Sequence, residues 1–290
     1  MRRSSLAFTV LTLAALGCAP KDNGTITKAD SAAPVAVAAQ APAAPNVVTV
    51  HASEFAYQQA PDSIPAGMTT FHLVNDGKTP HHLVLVRLDS GKTLTEFEKE
   101  LAKPAPPPAW AAFEGGPNAA DPGKTVNATL DLTPGSYAML CFVDMPGGVP
   151  HFAKGMIKPF TVTAAKGPAA AAPKSDVSIK LSDYNFDVSK PIAAGNHTFE
   201  VTNAGPQVHE VQLVRLAPGK TVQDLLDFIQ KPAGAPPGEL VGGVAPTRNT
   251  TNYFSADLAA GNYAFICFVP DAKDGKPHFT HGMTKTFTIS

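Results

Sequence analysis

Two stretches of this 290-residue sequence carry residues able to do chemistry, and they carry them in the same order. The first reads Cys141-Phe-Val-Asp-Met-Pro-Gly-Gly-Val-Pro-His151-Phe-Ala-Lys-Gly-Met156. The second reads Cys267-Phe-Val-Pro-Asp-Ala-Lys-Asp-Gly-Lys-Pro-His278-Phe-Thr-His-Gly-Met283. Each offers a thiolate, an imidazole beyond a loop, and a thioether five positions further on. These are soft and borderline donors of the kind copper takes. Two imidazoles and one thiolate, with a thioether as a long axial ligand, make an electron-transfer centre. The second imidazole of each set has to come from elsewhere.

An internal repeat supplies it. Val47–Thr163 and Val177–Ser290 align through Gly67/Gly195, Phe71/Phe199, Asn75/Asn203, Gly77/Gly205 and Lys92-Thr93/Lys220-Thr221. The match resumes at Gly135/Gly261, Tyr137/Tyr263 and the two cysteine stretches. Of the nine His, only His81/His209 and His151/His278 recur in both copies. His72, His82 and His197 fall on Glu200, Glu210 and Thr69, His281 falls on Lys154, and His51 has no partner. The expected metal ligands are therefore His81, Cys141, His151 and Met156 in one copy, and His209, Cys267, His278 and Met283 in the other. His82, beside His81, stays open as an alternative. Taken singly, a Cys on an apolar strand is core and a Met is filler. The same donor types recurring in one order, twice, argue for metal.

The elements that must position these residues are mostly short strands. Apolar residues make up 44% and charged ones only 16%, with 28 Pro and 23 Gly, which favours turns over long charged helices. Strands are expected at Thr70–Asn75, Leu83–Leu88, Ser136–Val143 and Phe160–Thr163. Their repeats are His197–Thr202, Val211–Leu216, Asn262–Val269 and Phe287–Ser290. Thr93-Leu-Thr-Glu96 and Thr221-Val-Gln-Asp224 open one short helix per copy with a capping box, and Pro-rich segments follow at Pro104–Pro108 and Pro232–Pro237. The expected fold is all-β: two tandem Greek-key sandwiches, residues 46–163 and 177–290, each with one inserted helix and joined by a linker at 164–176.

On these motifs the sequence resembles the cupredoxin superfamily. Pro80-His81-His82-Leu-Val-Leu-Val and Val208-His209-Glu-Val-Gln-Leu-Val resemble its first-ligand strand, usually His-Asn before apolar residues. The Cys–loop–His-x₄-Met run resembles its second ligand segment. The long loop is closer to the type 1 site of copper nitrite reductases than to plastocyanin. The resemblance covers both copies and implies cupredoxin-like domains with one type 1 copper each. His82 and Glu210 stand where the family has Asn, which bears on the hydrogen bonding around the sulfur.

Residues 1–18 pair a basic start with an apolar run from Leu6 to Leu16 and then Gly17-Cys18, the pattern of a secretory signal. Gly17-Cys18 resembles a lipoprotein processing site, which makes Cys18 the expected lipidation position; the alternative is ordinary secretion with Cys18 as a spare thiol. Residues 19–45, rich in Ala and Pro, read as a tether. The expected location is a bacterial cell envelope, lipid-anchored and facing the periplasm, with the outer membrane favoured over the inner by Ala19. Three cysteines, one in the leader and one per copy, suit single thiolate ligands rather than a disulfide framework. The net charge of −1 gives no footprint for nucleic acid.

The function expected from this set is one-electron transfer between redox protein partners of the envelope, with no small-molecule substrate and no enzyme activity. Leu140/Phe142 and Ile266/Phe268 flank the cysteines, so no neighbouring His leads to a second copper. The alternatives are copper storage or delivery, and a cupredoxin-like module that has lost its metal. His151 and His278, each between Pro and Phe, are expected to show a ring edge in a small apolar patch suited to brief docking, the alternative being that Pro and Phe there serve loop packing.

Overall fold

The computed structural model describes residues 43–103 and 106–290. The leader, Cys18 and nearly all of the Ala/Pro tether lie outside the described residues, as does the start of the Pro104–Pro108 segment. Ala41–Ser290 forms one compact unit. Among the described residues no helix is long and apolar enough to cross a membrane.

The first half contains β1 (Asn46–Ser53), β2 (Ala56–Gln58), β3 (Ser63–Pro65), β4 (Gly67–Asn75), β5 (Val84–Leu88), α1 (Leu94–Leu101), β6 (Ala111–Gly115), β7 (Thr125–Leu132), β8 (Gly135–Leu140) and β9 (Ile157–Thr163). The second contains β10 (Val177–Ser182), β11 (Asn185–Val188), β12 (Gly195–Asn203), β13 (His209–Leu216), α2 (Val222–Gln230), β14 (Gly238–Thr247), β15 (Asn252–Leu258), β16 (Gly261–Ile266) and β17 (Thr284–Ile289). In each half, residues from two sheets meet in one core: Val50, Phe71 and Leu73 face Leu85, Met139 and Val162, and Ile179, Phe199 and Val201 face Leu213 and Phe265. That is the sandwich arrangement.

The apolar runs of β5 and β13 are buried on both faces, which is why they read as continuous rather than alternating. Leu83 and Leu85 point into the inter-sheet core, while Val84, Val86 and Leu88 pack under α1 and its buried Phe97. In the second half Val214 and Leu216 pack under Leu225 and Leu226 of α2. Both helices start as their sequences imply. Thr93 Oγ1 accepts the Glu96 N–H at 3.2 Å and Glu96 Oε2 accepts the Thr93 N–H at 2.9 Å, and Thr221 and Asp224 repeat the pair. Each such cap stabilises its helix by about 1 kcal/mol.

The sequence-based strands end differently at the cysteines. β8 and β16 stop at Leu140 and Ile266, three residues short of the expected Val143 and Val269, where the Cys141 and Cys267 N–H groups turn to the carbonyls of Met156 and Met283 (3.2 and 3.3 Å). β6 and β14 were not expected at all. Gly115-Gly116 and Gly242-Gly243 make them read as loop, but these glycines form bulges at positive φ. A Cβ on Gly243 would stand 1.9 Å from the Val211 carbonyl oxygen, so no other residue fits.

The halves are joined edge to edge. β15 pairs with β7 and β14 with β6, which builds one eight-stranded sheet (β11-β10-β12-β15-β7-β4-β1-β2) and one nine-stranded sheet (β17-β16-β13-β14-β6-β5-β8-β9-β3). Pro117 bridges Val244, its own counterpart in the repeat, as a two-fold axis through the junction requires. Edge strands that would otherwise be open are covered in this way.

Candidate metal centres

Each centre is assembled from a loop, a strand end and a hairpin. The loop before β5 is held by Asn75, whose Nδ2 donates to the Thr79 and Ala120 carbonyls (2.9 and 2.8 Å) while its Oδ1 accepts the Gly77 N–H. Asn203 does the same for Gln207, Thr247 and Gly205. Gly77 and Gly205 lie flat on the outer edges of the first imidazoles. A Cβ there would stand 2.7 Å from His81 Nε2 and 2.9 Å from His209 Nε2. These repeated Asn and Gly positions are thus part of the site rather than only turns.

The hairpin after each cysteine closes through its backbone. His151 N–H donates to Val143 O and Phe152 N–H to Cys141 O, and His278 and Phe279 repeat this on Val269 and Cys267. A single 3-10 turn over His151–Lys154 and His278–His281 ends at Gly155 and Gly282, both at positive φ (105° and 94°). That reversal returns Met156 and Met283 to the cysteines, and both are fully buried in the same core clusters as the sulfurs. Phe152 and Phe279 pack on Phe142 and Phe268, ring centroids 5.1 and 5.5 Å apart.

The donor atoms converge. Cys141 Sγ lies 3.5 Å from His151 Nδ1 and 4.0 Å from His81 Nδ1, and the two nitrogens are 3.1 Å apart. In the second half His209 Nδ1 and His278 Nδ1 are 3.1 Å apart and Cys267 Sγ is 3.4 Å from His278 Nδ1. All three donors of each set fall within 4.8 Å of one another and are buried. The circle through the three atoms of the first set has a radius of about 2.1 Å, within the range of metal–nitrogen and metal–sulfur bonds. The donor set fits a copper ion by both size and type.

Two sheets packed face to face hold a His ahead of one strand and a Cys–His–Met hairpin between two others, and the donors meet at a point. Each half is cupredoxin-like. No family model matches the sequence, and no curated protein sequence matches it. Among solved structures, auracyanin A, a "blue" copper protein from Chloroflexus aurantiacus, is 20% identical over 41% of this chain and 100% of its own, with a TM-score of 0.31. An auracyanin from Roseiflexus castenholzii is 23% identical over 42% of this chain and 99% of its own (TM-score 0.27). A copper nitrite reductase from Nitrosomonas europaea is 15% identical over 85% of this chain and 94% of its own (TM-score 0.27). At such scores these are similarities only; the copper assignment rests on the donor atoms.

Burial sets the protonation of the cupredoxin-like sets. It pushes the Cys141 thiol up to about 12 and the Cys267 thiol well above its ordinary value. It pulls His81 and His278 down to about 4, helped by the neighbouring imidazole in each case, and lowers His151 and His209. Without metal the sulfur stays a protonated, unreactive thiol. An ion bound there displaces that proton.

His82 is not in the donor cluster. Its Nε2 accepts the Phe142 N–H at 2.6 Å, and Glu210 Oε1 accepts the Phe268 N–H at 2.7 Å in the second half. Both residues therefore fasten the backbone immediately after a cysteine. Nor do the second imidazoles show an edge: His151 is 1% exposed and His278 0%, which corrects the expectation of an exposed ring patch. The cause is Phe55 and Tyr184, whose rings cover them edge-on at 5.4 and 5.6 Å. Both covering residues hold left-handed backbone (φ 64° and 63°) to reach that position.

Sequence reasoning missed these covers and the carboxylates beside them. Ser53-Glu54-Phe55-Ala56-Tyr57 and Ser182-Asp183-Tyr184-Asn185-Phe186 share an acid–aromatic pair at the same point of the repeat, which was the available signal. Asp183 Oδ1 accepts from His209 Nε2 at 2.9 Å, which leaves Nδ1 as the free donor. Of the other His, His51 pairs with Asp76, His197 with Asp176 and His281 with Asp274. The group Asp271, Asp274 and His281 also clusters, but two of its members are exposed.

Proposed function

We propose that the chain is a cell-envelope lipoprotein that holds one type 1 copper ion in each half and passes single electrons between protein partners. The observation that carries this is the closed, buried His–Cys–His set of each half, with Met156 or Met283 in the same core. His81, Cys141, His151 and Met156 would hold one ion, and His209, Cys267, His278 and Met283 the other. Copper so bound supplies a one-electron Cu(I)/Cu(II) couple.

The chain's part is to keep the donors still. The Asn75 and Asn203 loops fix the first imidazole, the hairpin backbone fixes sulfur and second imidazole, and Phe55 and Tyr184 keep water off. Donors held in one geometry for both oxidation states favour transfer with little rearrangement. With protein ligands on every side, no position remains for a substrate, so the chain performs no catalysis of its own. Partners are redox proteins of the envelope, reached while Cys18 carries a lipid anchor at the periplasmic face, on the outer rather than the inner membrane. Storage or delivery of copper needs ready release, which a shut, desolvated donor set opposes.

The test is copper content and the visible spectrum of the purified chain. An intense thiolate-to-copper band is expected, halved by Cys141→Ser or Cys267→Ser and abolished by both. Full colour in the double variant would falsify the ligand assignment.

A further inference from the structure

The junction between the halves is lined with buried polar side chains that the repeat does not share. Asn118 and Gln212 are 1% and 2% exposed, and their repeat counterparts are Ala245 and Val84. Asn118 belongs to the first half yet reaches across the seam. Its Nδ2 lies 3.1 Å from Glu210 Oε2 and from the Val211 and Val244 carbonyls. On the first-half side, Leu83, the residue after His82, donates its N–H to the carbonyl of Pro117, the residue before Asn118, at 3.0 Å. His82 and Glu210 in turn each accept the N–H of the residue that follows a cysteine, Phe142 and Phe268.

An unbroken run of covalent and hydrogen bonds thus leads from Cys141 through Phe142, His82, Leu83, Pro117, Asn118, Glu210 and Phe268 to Cys267. Every side chain in the run between the two phenylalanines is buried. A buried, unrepeated Asn at a seam costs desolvation unless its hydrogen bonds are made, and one of these goes to Glu210, which holds the backbone after Cys267. Gln212 differs. It spans the seam to the Ala119 N–H and carbonyl, while bonding the Gly242 carbonyl of its own half, and so holds the halves together without touching either cysteine segment.

We propose that His82, Asn118 and Glu210 form an internal bridge along which the two cysteine ligands exchange an electron within one chain. This rests on the copper reading above. In the exchange one electron leaves the reduced half and enters the oxidised half, with no bond made or broken and no proton released. The protein is then a two-centre relay rather than two independent carriers on one anchor.

The test compares the full chain with Asn118→Ala and Gln212→Ala. In metal-free protein the amide resonances of Phe142 and Phe268, one in each half, should both shift in N118A. In copper-loaded protein, a sub-stoichiometric pulse of a one-electron radical reductant is followed by absorption and freeze-quenched spin resonance. The signal of each half is assigned from C141S and C267S. A first-order equilibration independent of protein concentration is expected, and it should be slowed several-fold in N118A, which removes the Asn118–Glu210 link. The static spectra should not change, and Q212A should keep the wild-type rate.

An unchanged rate in N118A, equal slowing in Q212A, or equilibration that is second-order in protein overturns the bridge. A movement of only one amide does so too. A chain that takes up no copper while both amides shift removes the copper reading and the electron exchange with it, and leaves the bridge as a structural clasp.

Discussion

The two donor sets match in ligand type and spacing, but their surroundings do not. In the second half Asp183 bonds His209 Nε2 at 2.9 Å, and Asp271 Oδ2 lies 3.8 Å from His278 Nε2. Asp271 is held well below the usual carboxylate range, first by the Tyr184 hydroxyl at 2.5 Å and then by Gln207. In the first half the counterpart of Asp183 is Glu54. One methylene longer, it accepts the Lys78 N–H instead, and His81 Nε2 has no hydrogen-bond partner among the described residues. Repetition has kept the donors and let the charge around them diverge. The position after the first imidazole diverges as well: a base, His82, in one half and an acid, Glu210, in the other.

That last difference gives the largest expected effect. Burial lowers His82 to about 3 and raises Glu210 to about 7. A lowered His adds stability that is complete above its unfolded value near 6.5 and is lost as pH falls towards 3. A raised Glu adds stability that is present below its unfolded value near 4.5 and is lost as pH rises through 7. In metal-free protein His82→Gln should therefore gain on wild type at pH 4 relative to pH 8. Glu210→Gln should gain at pH 8 relative to pH 4, each by on the order of 3 kcal/mol. Denaturant titrations at the two pH values decide this, and same-sign changes in both variants would contradict the opposed roles.

The repeated scaffold should behave alike in both halves. Asn75→Ala and Asn203→Ala each strip the donors from two loop carbonyls, at a cost of about 2 kcal/mol. Calorimetry of the metal-free variants should find the two losses equal. A loss confined to one half would mean that the loops are not equivalent after all.

The smallest effect concerns potential. A carboxylate on the outer nitrogen makes an imidazole more basic and favours the more highly charged ion. The second half should therefore have the lower potential by about 60 mV, a tenfold bias for one electron. Asp183→Asn should close most of that gap in a spectroelectrochemical titration. Two sites already equal in the wild type would show that the carboxylates do not tune them.

Much of the fold and the site was legible because the chain is written twice. The capping boxes at Thr93 and Thr221 and the strands β4, β5, β12 and β13 follow from local pattern. The candidate His of the two clusters stand out once only columns common to both copies are kept. The same filter concealed the seam, since Asn118, Gln212 and the split between His82 and Glu210 are unrepeated. β6 and β14 were concealed for another reason: their glycines look like turns until the bulges they form against β5 and β13 are seen. Phe55 and Tyr184 adopt backbone that sequence propensity disfavours, so their place over the second imidazoles was hidden too.

By itself the sequence determined which donor atoms exist, in what order and how far apart along the chain, because covalent spacing is a local property. Only the tertiary structure decided that Nδ1 of each imidazole faces the sulfur, that Asp183 but not Glu54 bonds the outer nitrogen, and that the halves share both sheets. Those outcomes depend on segments apart in the chain meeting in space, 26 residues for Asp183 and His209, 60 for His81 and Cys141, and 138 for Glu114 and Asn252 across the halves, and no pairwise spacing in the chain encodes the angle at which they meet.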